Sequence, residues 1–209
     1  LVAVFIILAY LIGSIPTAVW IGKAFYNIDV REFGSGNAGA TNTFRVLGQN
    51  AGIPVLIIDI LKGALAVSLA FLSAYIFESD EFVNLQLALG IAALVGHIFP
   101  VFAGFRGGKG VATILGIVMC ILPLSCCVSL LVFLIVLFSS RMVSLSSMIA
   151  GVTFPFVLYF VFGNTNPILT TFSIVVAVLL IVTHRKNIVR ILNKQESKIK
   201  FLSKKVSAD

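Results

Sequence analysis

Charge is scarce in this chain. Asp, Glu, Lys and Arg make up 11% of its 209 residues, against 59% hydrophobic residues, and the mean hydropathy is +1.12. A water-soluble domain carries roughly twice that charged share, so the composition excludes an ordinary soluble globule. Cysteine is also sparse. Cys120, Cys126 and Cys127 stand in apolar sequence with no CxxC spacing and no nearby His. They read as small apolar residues, not as metal ligands or a disulfide framework. No Ser-His-Asp order, no Cys or carboxylate nucleophile with a base, no HxxxxD pattern and no metal-ligand cluster is legible, so a covalent acyl-enzyme has no support. No internal repeat, linker or second domain appears, and residues 1–209 read as one domain.

What is present is a series of apolar stretches, at about 1–22, 51–77, 83–103, 111–138, 143–162 and 167–183. Roughly 20 apolar residues span a bilayer. The first stretch lacks a basic start and is interrupted by Gly13, Ser14, Pro16 and Thr17, which suits a retained helix better than a cleaved signal peptide. The fourth stretch is too long for one helix and holds Pro123 near its middle, followed by Ser125. Split there, it gives short helices near 111–122 and 125–138.

Charge parity supports the split. With a hairpin at Pro123, Lys23, Arg31, Arg45, Arg106, Lys109, Arg141 and the basic tail share one side. The turns at Glu78 to Glu81, at Pro123 and at Gly163 to Pro167 take the other side and hold no Lys or Arg. Cations favour the cytoplasmic side. The expected fold is therefore all-α: a polytopic transmembrane bundle of seven helices, the fourth and fifth short. The N-terminus lies outside and the C-terminus in the cytoplasm. Twelve helical residues rise only about 18 Å, so the short helices need a thinned bilayer or shielding neighbours.

The net charge is +7, and eight of the fifteen Lys and Arg residues follow Thr183. A basic tail on a soluble protein would suggest nucleic acid. After an apolar span, anionic lipid headgroups are the fitting partner, and residues 184–209 read as a basic cytoplasmic tail. From Asn187, the apolar Ile188, Ile191, Leu192, Ile199 and Leu202 alternate with Lys, which suits either an amphipathic surface helix or a frayed tail.

Four polar features could carry chemistry. Gly34-Ser35-Gly36-Asn37-Ala38-Gly39-Ala40-Thr41-Asn42, followed by Arg45, combines three glycines in six residues with neutral donors and one cation. Such a loop can form a backbone nest and hold a phosphate. The second feature runs from Gly96-His97 through Arg106-Gly107-Gly108-Lys109-Gly110 to Thr113. It departs from a P-loop, since Ala103 and Gly110 occupy the places of the first Gly and the Ser/Thr; anion binding survives the mismatch, nucleotide hydrolysis does not. His97, with no acid beside it, fits a buried hydrogen-bonding role better than proton transfer.

The third feature is His184-Arg185-Lys186-Asn187, with Arg190 beyond. His184 and Asn187 share a helix face, while Arg185 and Lys186 suit a basic stop. The fourth is Asp59 with Lys62, the one charged pair inside a span. Their i, i+3 spacing suits either a structural ion pair or a functional site.

Together these segments resemble the membrane-integral, acyl-phosphate-dependent glycerol-3-phosphate 1-acyltransferases of bacteria. The matching segments are Gly34 to Arg45, Gly96 to Thr113 and His184 to Glu196, with Asp59-Ile60-Leu61-Lys62-Gly63 a further one. The order and spacing of spans match over nearly the whole chain. Members often carry Lys where Arg106 stands, and Gly where Gln195 precedes Glu196.

The resemblance implies transfer of a fatty acyl group from acyl-phosphate to the 1-hydroxyl of glycerol 3-phosphate. The products are lysophosphatidic acid and phosphate, with no cofactor and no metal. It implies Ser35, Arg45, Lys109, His184 and Asn187 as active-site residues. It implies Gly107, Gly108 and Gly110 as the donor-phosphate loop. Gly36, Asn37, Thr41, Asn42, His97, Arg106 and Thr113 complete the expected substrate site. The implied setting is the cytoplasmic face of the bacterial inner membrane, with membrane lipids and a peripheral acyl-phosphate-producing enzyme as partners. A transporter or flippase for a phosphorylated anion is the competing class. It fits less well, because no inverted repeat is visible and the charged motifs map to one face.

Overall fold

The computed structural model describes residues 1–199, which form ten α-helices and no strand. The basic tail beyond Ile199, with Leu202, lies outside the described residues. The first apolar stretch is two helices, α1 (Val2–Gly13) and α2 (Thr17–Tyr26), bent by 40°. Pro16 has no N–H and cannot continue α1. Next come α3 (Ala40–Leu47) and α4 (Gln49–Ser68), the latter closed by a tight turn at Leu69–Leu72. Then come α5 (Asp80–Ile98), α6 (Val111–Ile121) and α7 (Pro123–Ser140). The last three are α8 (Val143–Phe156), running on as a π-turn over Val157–Val161, α9 (Pro167–Thr183) and α10 (Arg185–Leu192).

Four of these helical stretches are long and apolar enough to cross a membrane, or six if the bent pairs α1–α2 and α9–α10 each count as one span. The 11-residue α6 is shorter. The break at Pro123 is where the sequence places it, and α6 is short as expected. The helix after the break is not. With Pro123 at its first position, where a missing N–H costs nothing, α7 runs to 18 residues. Only 17% of its most apolar window is buried within the protein. Lipid must solvate the rest.

Glycines decide which helices approach closely. A Cβ on Gly13 would lie 2.0 Å from the Ala93 carbonyl oxygen, and one on Gly96 2.2 Å from that of Tyr10. These two contacts lock α1 onto α5. In the same way Gly63 would strike Thr113 O at 2.2 Å and Gly116 would strike Ile60 O at 2.0 Å, locking α4 onto α6. Small residues at such crossings are the usual means of packing helices where lipid removes the hydrophobic drive. Side chains cap the helix starts at the far turns. Ser79 accepts from Phe82 N–H at 3.2 Å, and Asn166 from Ile168 N–H at 2.8 Å.

The polar connections gather at one end of the bundle. Hydrogen bonds join the α2–α3 loop to the α5–α6 loop, α10 to Lys109, and both α10 and Ser144 to Glu196 just beyond α10. Arg141 O accepts from Ile199 N–H at 2.8 Å. The α7–α8 turn therefore lies at the same end as Lys109, so α6 and α7 run out and back as a hairpin.

Candidate active site

The loop between α2 and α3 is organised by Asn42, 1% exposed on α3. Its amide N–H groups donate to Val30 O at 2.8 Å and Phe33 O at 3.1 Å. Its Oδ1 accepts from Ser35 N–H at 2.8 Å and from Ser35 Oγ at 3.0 Å. Both donors and both lone pairs are thus used. Gly34 and Gly36, at φ 60° and 72°, let the chain turn around this amide. The Ser35 N–H goes to Asn42 and the Gly36 N–H to Phe33 O, so neither is free for the anion nest the glycines suggest. The second half of the expected loop is helical. Thr41, exposed, and Arg45 lie on α3, while Asn37 sits half-buried just before it. Helix α3 starts after Gly39 with no side-chain cap.

The α5–α6 loop is held from beneath. Gly107 N–H donates to Ile98 O and Gly108 N–H to His97 O, both at 3.1 Å, capping the end of α5. A Cβ on Gly107 would sit 2.0 Å from His97 O, and one on Gly108 2.1 Å from His97 Nε2. These two glycines are required by close packing on α5. The positive φ values of this loop belong to Gly104, Phe105 and Gly110. Gly110 begins α6, which also has no side-chain cap. Like α4, α8 and α10 at the same end, α3 and α6 therefore present first-turn N–H groups without side-chain partners, at the positive end of a helix dipole.

Under that loop lies a closed polar network. Lys62 Nζ is 2.8 Å from Asp59 Oδ1 and donates to Ile15 O at 3.0 Å. It thus satisfies a carbonyl at the α1–α2 break. Thr17 Oγ1 donates to Asp59 at 3.2 Å, and His97 Nδ1 shares a 3.1 Å bond with Thr113 Oγ1. Thr17, Asp59, Lys62, His97 and Thr113 are each at most 5% exposed. His97 and Thr113, expected in the substrate site, sit beneath the loop with their polar groups engaged inside the protein. The geometry supports the helix-packing role of Asp59 and Lys62.

At the open face, Lys109 Nζ donates to Asn187 Oδ1. Asn187 Nδ2 donates to Glu196 Oε1 at 2.7 Å, Ser144 Oγ to the same oxygen at 2.8 Å, and Arg190 Nε to Glu196 Oε2 at 3.0 Å. Burial pulls the Lys109 pKa down to about 8, with Arg190 and Arg45 repelling its charge and Glu196 opposing the shift. Arg45 and Arg190 therefore lie near enough to Lys109 to repel its charge. His184 is 2% exposed, and its Nδ1 lies 2.7 Å from Leu180 O. A carbonyl can only accept, so Nδ1 carries the proton and Nε2 of the neutral ring keeps its lone pair.

Arg106 is exposed and its carbonyl faces Arg31 at 3.3 Å. Two residues of this end were missed in the sequence. Glu196 ties Asn187 to Arg190 and Ser144; its signal was a lone acid amid cations. Arg31 joins the two loops; only its two-residue spacing from Asp29 hinted at it.

The model of the family described as "Glycerol-3-phosphate acyltransferase" matches residues 3–194. A protein of that name from Enterococcus faecalis is 46% identical over 207 residues, covering 96% of this chain and 93% of the relative. One from Listeria monocytogenes is 48% identical over 196 residues, covering 94% and 96%. The crystal structure of PlsY (YgiH), an integral membrane glycerol 3-phosphate acyltransferase, in its glycerol 3-phosphate form has a TM-score of 0.86 to this chain. It is 36% identical, with 95% of this chain and 96% of that one covered. The lysophosphatidic acid form gives 0.81 at 35% identity, with 95% of each chain covered. With apolar helices of spanning length, two polar loops and α10 converging on Lys109, and these matches along nearly its full length, the chain is membrane-embedded and belongs to the glycerol-3-phosphate acyltransferase family.

Proposed function

We propose that this enzyme transfers a fatty acyl group from acyl-phosphate to the 1-hydroxyl of glycerol 3-phosphate, releasing phosphate and lysophosphatidic acid. The observation that carries this reading is the approach of two cations from the two polar segments, Arg45 in the last turn of α3 and Lys109 just ahead of the uncapped start of α6. Two such cations suit the two phosphates that the reaction brings. The solved relatives named for their glycerol 3-phosphate and lysophosphatidic acid forms support the acceptor and product.

The donor is already activated, so the chemistry needs position and charge, not an enzyme nucleophile. Ser35 Oγ has an amide oxygen of Asn42 as its partner, and an amide oxygen is no general base. Ser35 therefore orients a substrate oxygen. Lys109, held by Asn187, stabilises charge on the donor phosphate as the acyl carbon is attacked. The acceptor proton passes to a substrate phosphate or to His184 Nε2. Gly107, Gly108 and Gly110 set the donor loop on α5. Thr41 and Arg106, exposed, and Asn37, half-buried, rim the site, while Asn42, His97 and Thr113 support the loops from within.

The setting is seven spans with the N-terminus outside. The polar end faces the cytoplasm, in the inner membrane. There a peripheral enzyme supplies acyl-phosphate, and anionic lipid meets the tail. Purified protein in bilayers, given acyl-phosphate and glycerol 3-phosphate, should form lysophosphatidic acid and phosphate in equal amounts. Turnover with acyl-CoA but not with acyl-phosphate would overturn the donor assignment. Transport of a phosphorylated anion without transfer would favour the competing class.

A further inference from the structure

Among the described residues, Arg31 makes more hydrogen bonds than any other cation of the polar end. Its Nε donates to Asp29 Oδ1 at 2.9 Å and its Nη2 to Asp29 Oδ2 at 2.7 Å, a two-pronged fork on one carboxylate. The backbone N–H of Arg31 donates to the same carboxylate at 3.0 Å, so Asp29 also starts the short turn Val30–Glu32. The remaining terminal nitrogen, Nη1, crosses to the other loop and donates to Ala103 O at 2.7 Å and Arg106 O at 3.3 Å. Both side chains are largely buried, at 14% and 12% exposed. The Arg31 fork holds the Asp29 carboxyl far below the usual carboxylate range.

We infer that Arg31, locked by Asp29, is a positioning residue that fixes the Ser35–Arg45 half of the active site against the Lys109 half. This rests on the proposed function, since it assigns one substrate phosphate to each half. The guanidinium is not a substrate cation, because four of its five N–H directions already end on protein oxygens. Each half also has its own internal support. Asn42 orders the Ser35 loop, and the end of α5 orders Gly107 and Gly108. Beneath them α3 packs on α4 and α4 on α6, which spaces the helices. The bridge from Arg31 to Ala103 and Arg106 ties the two loops themselves together above that frame. Direct transfer between two bound anions depends on the distance between the halves, and a misplacement of about 1 Å can cost about 10²-fold in rate. Lysine cannot replace the fork, since one ammonium cannot grip a carboxylate in two places and reach a second loop.

The test is a split between chemistry and binding in the full-length protein in lipid nanodiscs. Arg31→Gln should lower kcat by about 10²-fold. The Kd of glycerol 3-phosphate alone, and that of a non-transferable acyl-phosphonate alone, should each stay within about threefold of wild type. Arg31→Lys should recover about tenfold of the lost rate. Lys23→Gln is the control. Lys23 reaches the same Asp29 carboxylate at 3.5 Å but is 60% exposed and spans no loops, so its kcat should stay within about twofold of wild type. An unchanged kcat in Arg31→Gln would overturn the inference. So would a Kd that rises in step with the loss of rate, or an equal loss in Lys23→Gln. If Arg31→Gln does not fold, Arg31→Lys decides alone: lowered kcat with both Kd values held supports the inference, and wild-type kcat or weakened binding overturns it. Failure of the wild-type protein to use acyl-phosphate would instead sink the functional reading.

Discussion

Two networks of this protein each contain a lysine, a carboxylate and a nearby histidine, and they behave oppositely. The inner one joins Asp59, Lys62, His97, Thr17 and Thr113 within the helices. Every member is nearly inaccessible, and Lys62 spends its charge on Asp59 and on the Ile15 carbonyl. The outer one joins Lys109, Asn187, Glu196 and Arg190. There the one acceptor of Lys109 among the described residues is a neutral amide oxygen, and burial with the repulsion of Arg190 and Arg45 outweighs the attraction of Glu196. Lys62 is paired with a carboxylate and a carbonyl across a helix break, as suits a lysine that holds helices together. Lys109 has a neutral hydrogen-bond partner and two further donors, as suits the anion site proposed above. Residue type does not separate the two; the nature and number of their partners do.

The contrast can be broken most sharply by removing each lysine or its partner. Lys109→Ala should cut kcat/KM by about 10³-fold while thermal stability in nanodiscs stays near wild type, because it deletes a cation facing developing charge. Asp59→Ala should do the reverse. It leaves Lys62 buried without its counter-ion, at a cost of about 3–5 kcal/mol in stability, and the protein that remains folded should keep most of its kcat. A large stability loss in the first variant, or a specific kcat loss in the second, would erase the distinction.

A smaller effect tests how the networks touch. Gly108→Ala places a Cβ 2.1 Å from His97 Nε2. The overpacking should cost about 1–3 kcal/mol. Because the obstacle is the imidazole, His97→Ala should relieve part of that cost in the double variant, a positive coupling readable in a thermal double-mutant cycle. Additive losses would mean that Gly108 answers to something other than His97.

The smallest expected effect is with pH. Lys109 titrates near 8 in the free enzyme, so it is charged below that pH and loses its charge above it. Inorganic phosphate affinity should fall by up to about tenfold per pH unit above 8, and this dependence should vanish in Lys109→Ala.

Much of this was legible in the sequence because the bilayer imposes simple rules. Apolar length and the one-sided cations located the apolar helices and the break at Pro123, and i, i+3 spacing exposed the Asp59–Lys62 pair. The polar end was read one motif at a time, and its joints were not legible. Helix α3 was hidden by its polar residues, though Ala40, Phe44 and Leu47 keep a helical period. The loop N–H groups looked free to bind an anion. Those of Ser35, Gly36, Gly107 and Gly108 are instead spent on Asn42, Phe33 and the end of α5, because a turn this tight must satisfy its own backbone first. Arg31 and Glu196 act across segments far apart in sequence, and no local pattern records such partners.

The central claim is that the outer network works by placement and charge, with no acyl group passing through the protein. The most direct measurement is the intact mass of the protein after mixing with labelled acyl-phosphate in the absence of glycerol 3-phosphate, followed by an acid quench. The account predicts an unmodified mass, with transfer beginning only when glycerol 3-phosphate is added. A stoichiometric acyl adduct on Ser35, discharged by glycerol 3-phosphate at the rate of turnover, would contradict it.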